Sequence, residues 1–192
     1  QTLFDVPTVE YYANSIAGNL LRAYTLNSMV PVAGTQAQWF AADLAANPCH
    51  YWKTTQYHFP VRPHESGKID SEQQYIEWVP LMEQFGVQLS VECDAHVVKV
   101  TKPIKSSLDI TNPTWEAGFV ESTQAEGGIV YVGEGCWGAP LRDADDMKNW
   151  SVAGGRFNQI KWMWIDREQI EIRTVKTDNA EMVAALTDEN RF

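Results

Sequence analysis

The sequence predicts a layered α/β fold, a sheet with flanking helices that ends in a run of strands. Three observations carry the prediction. Segments of strand-like alternation are interleaved with two segments of helical spacing, clusters of turn residues separate them, and two strand-like runs close the chain around Asp166-Arg167-Glu168.

The elements follow in order. "EYYANSIAGNLLRAYTLNS" reads as two short strands around Ala17-Gly18-Asn19, because Gly and Asn accept positive φ at little cost. "TQAQWFAADLAAN" places Trp39, Phe40, Asp43 and Leu44 close to helical spacing, and Asn47-Pro48 stops the helix. "YWKTTQYHF" alternates as a strand ending at His58, and "PVRPHESGKID", rich in Pro, Gly and polar residues, is a loop. Ser71 and Gln74 have capping-box spacing ahead of a helix that carries Tyr75, Trp78, Val79, Met82 and Phe85, with a kink at Pro80 and a stop at Gly86. "VQLSVECDAHVVKV" is one strand, or two meeting near Asp94-Ala95. Thr101 to Glu126 reads as irregular, "GGIVYVGE" as a strand, and Gly135 to Gly155 as a second loop before the terminal hairpin.

At 192 residues the chain fits one domain with a real core, and 8 Trp supply several large planar packing surfaces. With 25 acidic against 15 basic residues the net charge is -10, which repels a phosphate backbone. No basic patch offsets this, so nucleic acid is excluded as a partner. No apolar run approaches the ~20 residues of a membrane span, and the first residues lack the charged and apolar regions of a signal peptide. Cys49, Cys93 and Cys136 form no CxxC pair, which leaves one disulfide with a free thiol open and indicates no zinc ribbon.

The chemistry centres on "VECDAH". In a strand, Glu92, Asp94 and His96 share one face, and Val91, Cys93 and Ala95 take the other. That alternation fits a solvated sheet face as well as a metal site, and taken alone it favours the solvated face. His58 ends a strand, and strand ends in an α/β sheet gather at one edge, so His58, Asp94 and His96 can converge. Two imidazoles and a carboxylate suit zinc, iron or manganese. In the loop, Arg62 is a candidate phosphate-binding cation, and His64 a candidate proton donor with a pKa near neutrality; a merely stiffened surface loop is the plainer reading. "YVGEGCWGAPLR" is glycine-rich, but no Gly-Lys-Ser/Thr follows, so it is no P-loop. Trp137 within it reads as core, and Cys136 has nothing in sequence to activate it.

The order of elements resembles the C-terminal half of the catalytic domain of purple acid phosphatase-like metallophosphoesterases, in the calcineurin-like superfamily. "NLLRAYTLNS" with "GTQAQWFAADLAAN" is similar to that family's strand and its G..Q..WL..DL helix, "WKTTQYHFPVRPH" to the strand ending in a metal-binding His, and "GVQLSVECDAHVVK" to the GHxH strand end. The resemblance spans nearly all of residues 1–192, as a single unit. It implies the second half of a β-sandwich flanked by helices, a metal-dependent phosphoric ester hydrolase, and two metal ions (Fe, Zn or Mn) in the parent, with one or none held here. It also implies metal ligation by His58, Asp94 and His96, phosphate steadying by Arg62, acid catalysis by His64, and a periplasmic or secreted location. Cys93 stands where the family has Gly, and Asp94 where it has the first His of GHxH. The family's GDxx, GDxxY and GNHE/D motifs do not occur, so the resemblance implies half of a binuclear site, completed by the N-terminal half or another chain. The rival reading is a non-catalytic β-rich binding module or pseudoenzyme fragment, and Glu92 is read as an ordinary exposed carboxylate.

Overall fold

The computed structural model describes residues 10–107 and 118–178. Its centre is a mixed seven-stranded sheet in the order β1-β2-β3-β4-β8-β5-β9. The strands are β1 Tyr12–Ile16, β2 Leu21–Thr25, β3 Trp52–Gln56, β4 Leu89–Glu92, β5 Val98–Thr101, β8 Val130–Gly133 and β9 Ser151–Gly155. From β2 through β3 and β4 to β8 the pairing is parallel, while β1, β5 and β9 pair antiparallel. The layered α/β class expected from sequence is the class observed.

Helix α1, Thr35–Ala46, connects β2 to β3, and α2, Glu72–Glu77, with α3, Val79–Gln84, precedes β4. All three contribute to a single core: Phe40 and Leu44 from α1, Tyr75 and Trp78 at α2, and Val79 and Met82 from α3 join Tyr24, Tyr57 and Tyr131. The expected single helix is two, because Pro80 lacks the N–H that would continue the ladder; it falls in the first turn of α3, where that loss is tolerated. The capping box at Ser71 is not made. Ser71 sits at the N-cap without a side-chain bond, and the Gln74 amide instead donates to the Phe59 carbonyl at 2.8 Å.

The sheet's other face meets the terminal hairpin, β10 Gln159–Ile165 with β11 Ile170–Lys176, which pair antiparallel. Side chains alternate along β3, so Thr55 joins the helical side and Trp52 points the opposite way. There its indole donates to the Asp166 carbonyl in the hairpin turn at 2.5 Å. At the hairpin's other end the Gln159 amide donates to the Gly133 carbonyl at 2.9 Å.

Three sequence expectations are corrected. The stretch expected to be irregular contains β6, Ile104–Ser106, and β7, Phe119–Glu121, paired antiparallel, and a 3-10 turn over Gln124–Glu126 closed by a capping box from Thr123; residues 108–117 lie outside the described ones. The second loop ends in β9, hidden by its small residues Ala153, Gly154 and Gly155. Trp137 is not core but 77% exposed. The three cysteines are free thiols; Cys136 is buried, and burial raises its pKa.

Candidate functional site

Parallel strands β3, β4 and β8 run the same way, so their C-terminal ends lie along one sheet edge. Each end delivers polar groups: Tyr57 and His58 after β3, Glu92 ending β4, and Glu134 after β8. The two carboxylates approach because Gly133, paired with Glu92, has φ 115°, and a side chain there would collide with the Glu92 carbonyl oxygen.

The inner layer is a buried ion cluster. Lys99 on β5, across β8 from β4, places its ammonium 2.8 Å from Glu92 Oε2 and 2.9 Å from Glu134 Oε1. It also donates to the Arg62 carbonyl. Glu92 accepts from the Tyr57 hydroxyl at 3.0 Å and the Val61 N–H at 2.8 Å, and Glu134 from the His64 N–H at 3.0 Å. Glu92 and Glu134 have no solvent exposure and Lys99 almost none. Glu92 is therefore the opposite of the exposed carboxylate expected. Burial opposes the charge on Lys99, but the two carboxylates outweigh it and hold its pKa above the usual value. One ammonium shared by two carboxylates does not compensate both fully, and burial pushes Glu134 up to about 6.

The outer layer is the turn Cys93-Asp94-Ala95-His96. The strand ends at Glu92, and Asp94 (φ 68°) and His96 (φ 60°) both adopt left-handed conformations, so the alternation that put Glu92, Asp94 and His96 on one face is broken. Two of the expected ligands do meet: His58 Nε2 lies 3.4 Å from Asp94 Oδ1. The other oxygen of Asp94 is held by the Lys68 ammonium at 2.7 Å. His96 instead pairs its Nδ1 with the Pro140 carbonyl at 2.9 Å, while its N–H donates to the Glu134 carbonyl at 2.7 Å. An open cavity of about 360 Å³ beside this turn is lined by Phe59, Pro60, Lys68, Ile69, Asp70 and Asp94.

Arg62 and His64 are not on an exposed loop. Arg62 is 5% exposed, stacks 4.3 Å above the Tyr75 ring and lies 3.4 Å from Asp70. His64 is fully buried, with Nε2 2.9 Å from the Ser151 hydroxyl. Burial, then the charges of Lys99 and Lys148, lower its pKa to about 3 rather than leaving it near neutrality. It is therefore a neutral side chain at physiological pH.

The donor set does not fit a binuclear metal centre. Among the described residues no group of three or more His, Cys, Asp or Glu side chains is placed to hold a metal ion. The carboxylates at this edge, Asp94, Glu92 and Glu134, already bind lysine ammonium groups, whose positive charge would repel a metal cation.

Sequence reasoning missed Lys68, Lys99, Glu134 and Tyr57. One signal was present: Lys99 stands in "VVKV", and a lone lysine within a valine run reads as a buried cation that needs carboxylate partners.

The fold has known counterparts. The structure of GAP50, the anchor in the inner membrane complex of Plasmodium, superimposes with a TM-score of 0.64 at 11% identity, covering 91% of this chain and 51% of that one. A purple acid phosphatase from yellow lupin (Lupinus luteus) seeds superimposes with a TM-score of 0.57 at 12% identity, covering 88% and 30%. The chain thus has a distant purple acid phosphatase-like fold, and spans about half the length of the first of these proteins and less of the second. No protein-family model and no curated protein sequence matches it. Among the described residues no helix is long and apolar enough to cross a membrane.

Proposed function

We propose that this chain is a non-catalytic binding module on a phosphoesterase-type fold, in which lysine ammonium groups hold the strand-end carboxylates. The observation that carries this reading is Lys68 Nζ at 2.7 Å from Asp94, the residue that stands in the metal-binding motif. The buried Lys99 does the same for Glu92 and Glu134. A neutral His64 and a buried Arg62 supply neither a proton nor a free phosphate contact.

The second reading is a metal-dependent phosphoric ester hydrolase. The purple acid phosphatase-like fold and the approach of His58 to Asp94 favour it. In that reading His58, Asp94 and His96 would hold metal, and ligands from another segment or chain would complete the centre. One experiment separates the two: elemental analysis of the purified chain, with p-nitrophenyl phosphate turnover in added Zn, Mn or Fe. The binding-module reading expects substoichiometric metal and no turnover above background. Stoichiometric metal, lost in His58→Ala, would establish the metal-centre reading instead, with or without turnover by this chain alone.

A further inference from the structure

The terminal hairpin carries a feature that the candidate site does not use. On β10, Trp162 and Trp164 are 60% and 64% exposed and, two residues apart, share the hairpin's outer face. Two such large apolar groups side by side form a patch that a soluble surface rarely leaves uncovered. Trp137 is also exposed, beside the start of β10, where the N–H of Gly138 donates to the Asn158 side chain.

The edge of the same strand is open. The Thr177 N–H donates to the Asn158 carbonyl and the Asp166 N–H to the Gln169 carbonyl, so the even-numbered residues of β10 turn their main-chain groups toward β11. The odd-numbered residues turn theirs outward. Gln159 does so and donates to the Cys136 carbonyl at 3.3 Å. Beyond it, the main-chain groups of Lys161, Met163 and Ile165 have no ladder partner among the described residues.

The geometry points to a second copy of this chain as the occupant: β10 pairs antiparallel with its own counterpart across a two-fold axis at Met163. The parity of the strand permits this register. Met163 and Met163 of the other copy form a hydrogen-bonded pair, and Lys161 pairs with Ile165 in the same way. Trp162 then falls opposite Trp164 of the second copy, and Trp164 opposite Trp162, in the non-hydrogen-bonded positions where side chains come closest. The sequence Trp-Met-Trp is self-complementary only about this axis, as a two-fold interface requires.

Charge supports self-pairing here rather than elsewhere on the molecule. The chain has a net charge of -10, but the hairpin from Gln159 to Lys176 has four basic and three acidic residues. Two copies therefore meet on surfaces of nearly neutral charge, which limits the repulsion an acidic protein would otherwise feel. The area sets the strength. Four tryptophans burying roughly 150 Å² each, with the paired edges, fall below the ~1,600 Å² of a standard stable interface, so the dimer is a weak, reversible one.

Analytical ultracentrifugation of the whole chain from about 2 to 200 µM tests this, with circular dichroism to verify the fold of each variant. The expected result is a concentration-dependent monomer–dimer equilibrium, weakened at least about tenfold in Trp162→Lys/Trp164→Lys. Met163→Pro, which removes an outward N–H and leaves the β11 ladder intact, gives the same loss without touching either indole. A monomer throughout the range overturns the proposal, whether or not the chain captures another protein. So does a dimer that both variants leave unchanged.

Discussion

Replacing Lys99 by Met tests whether the buried ion cluster is the organising feature of the strand-end edge. Methionine keeps most of the stem's volume and removes the ammonium that lies 2.8 Å from Glu92 and 2.9 Å from Glu134. Both carboxylates are fully buried, so the substitution leaves two uncompensated charges beside each other. Breaking a buried pair from one side costs about 3 to 5 kcal/mol. The loss depends on pH, because protonating the carboxyls relieves it. Glu134 already has a raised folded pKa of about 6 against the usual 4.5, and a raised carboxyl pKa gives stability that is present at low pH and lost as pH rises through the folded value. Urea unfolding from pH 5 to pH 8 measures both effects. The variant should lose about 3 to 5 kcal/mol at pH 8 and recover part of it by pH 5, and Glu92→Gln/Glu134→Gln in the same background should restore stability at pH 8. A loss below about 1 kcal/mol that does not change with pH would refute the cluster's role.

Other outcomes follow from single contacts. His64, with its pKa lowered to about 3, contributes stability above its unfolded value near 6.5 that is lost progressively as pH falls toward 3; His64→Asn should flatten that acid limb in pH-dependent thermal unfolding. Gly133→Ala forces a side chain into the Glu92 carbonyl at φ 115° and should cost several kcal/mol or abolish folding, read from the circular dichroism melt. Tyr57→Phe removes the hydroxyl that donates to Glu92 at 3.0 Å and accepts from Ser90 at 2.9 Å, and should cost about 1 to 3 kcal/mol in urea unfolding.

Local order was legible wherever one residue type dictates backbone geometry. The turn at Ala17-Gly18, with φ 51° and 70°, and the stop at Gly86, with φ 68°, fall where the sequence put them, while the helix breaks at Trp78, just before the kink expected at Pro80. The terminal hairpin was legible for a different reason: alternating apolar residues flank a polar turn. Strand β9 was not, because its apolar content is small and its place in the sheet comes from pairing with β5, a long-range contact that periodicity does not encode. Trp137 was misjudged because hydrophobicity was used as a guide to burial, which holds only in one direction.

The candidate site shows a sharper limit. Alternation in "VECDAH" assumed a strand through His96, yet the strand stops at Glu92, and two left-handed residues turn Asp94 and His96 away. Glu92, the residue the pattern treated as most ordinary, is the one that the fold encloses. What decides this is not its own segment but Gly133 and Lys99: the first lets β8 approach, and the second supplies the charge that makes burial tolerable. Gly133 is beyond the reach of a local pattern, because β8 begins 38 positions after Glu92 and packs beside it only in the folded sheet, whereas Lys99 follows Glu92 closely in the chain and is signalled by the valines around it. Lys68 acts in the same way on Asp94, from a loop that reads as solvent-facing in sequence. The chemistry of this edge is therefore set by which cation reaches each carboxylate. That makes the lysines, more than the histidines, the residues whose replacement distinguishes a binding module from an incomplete metal centre.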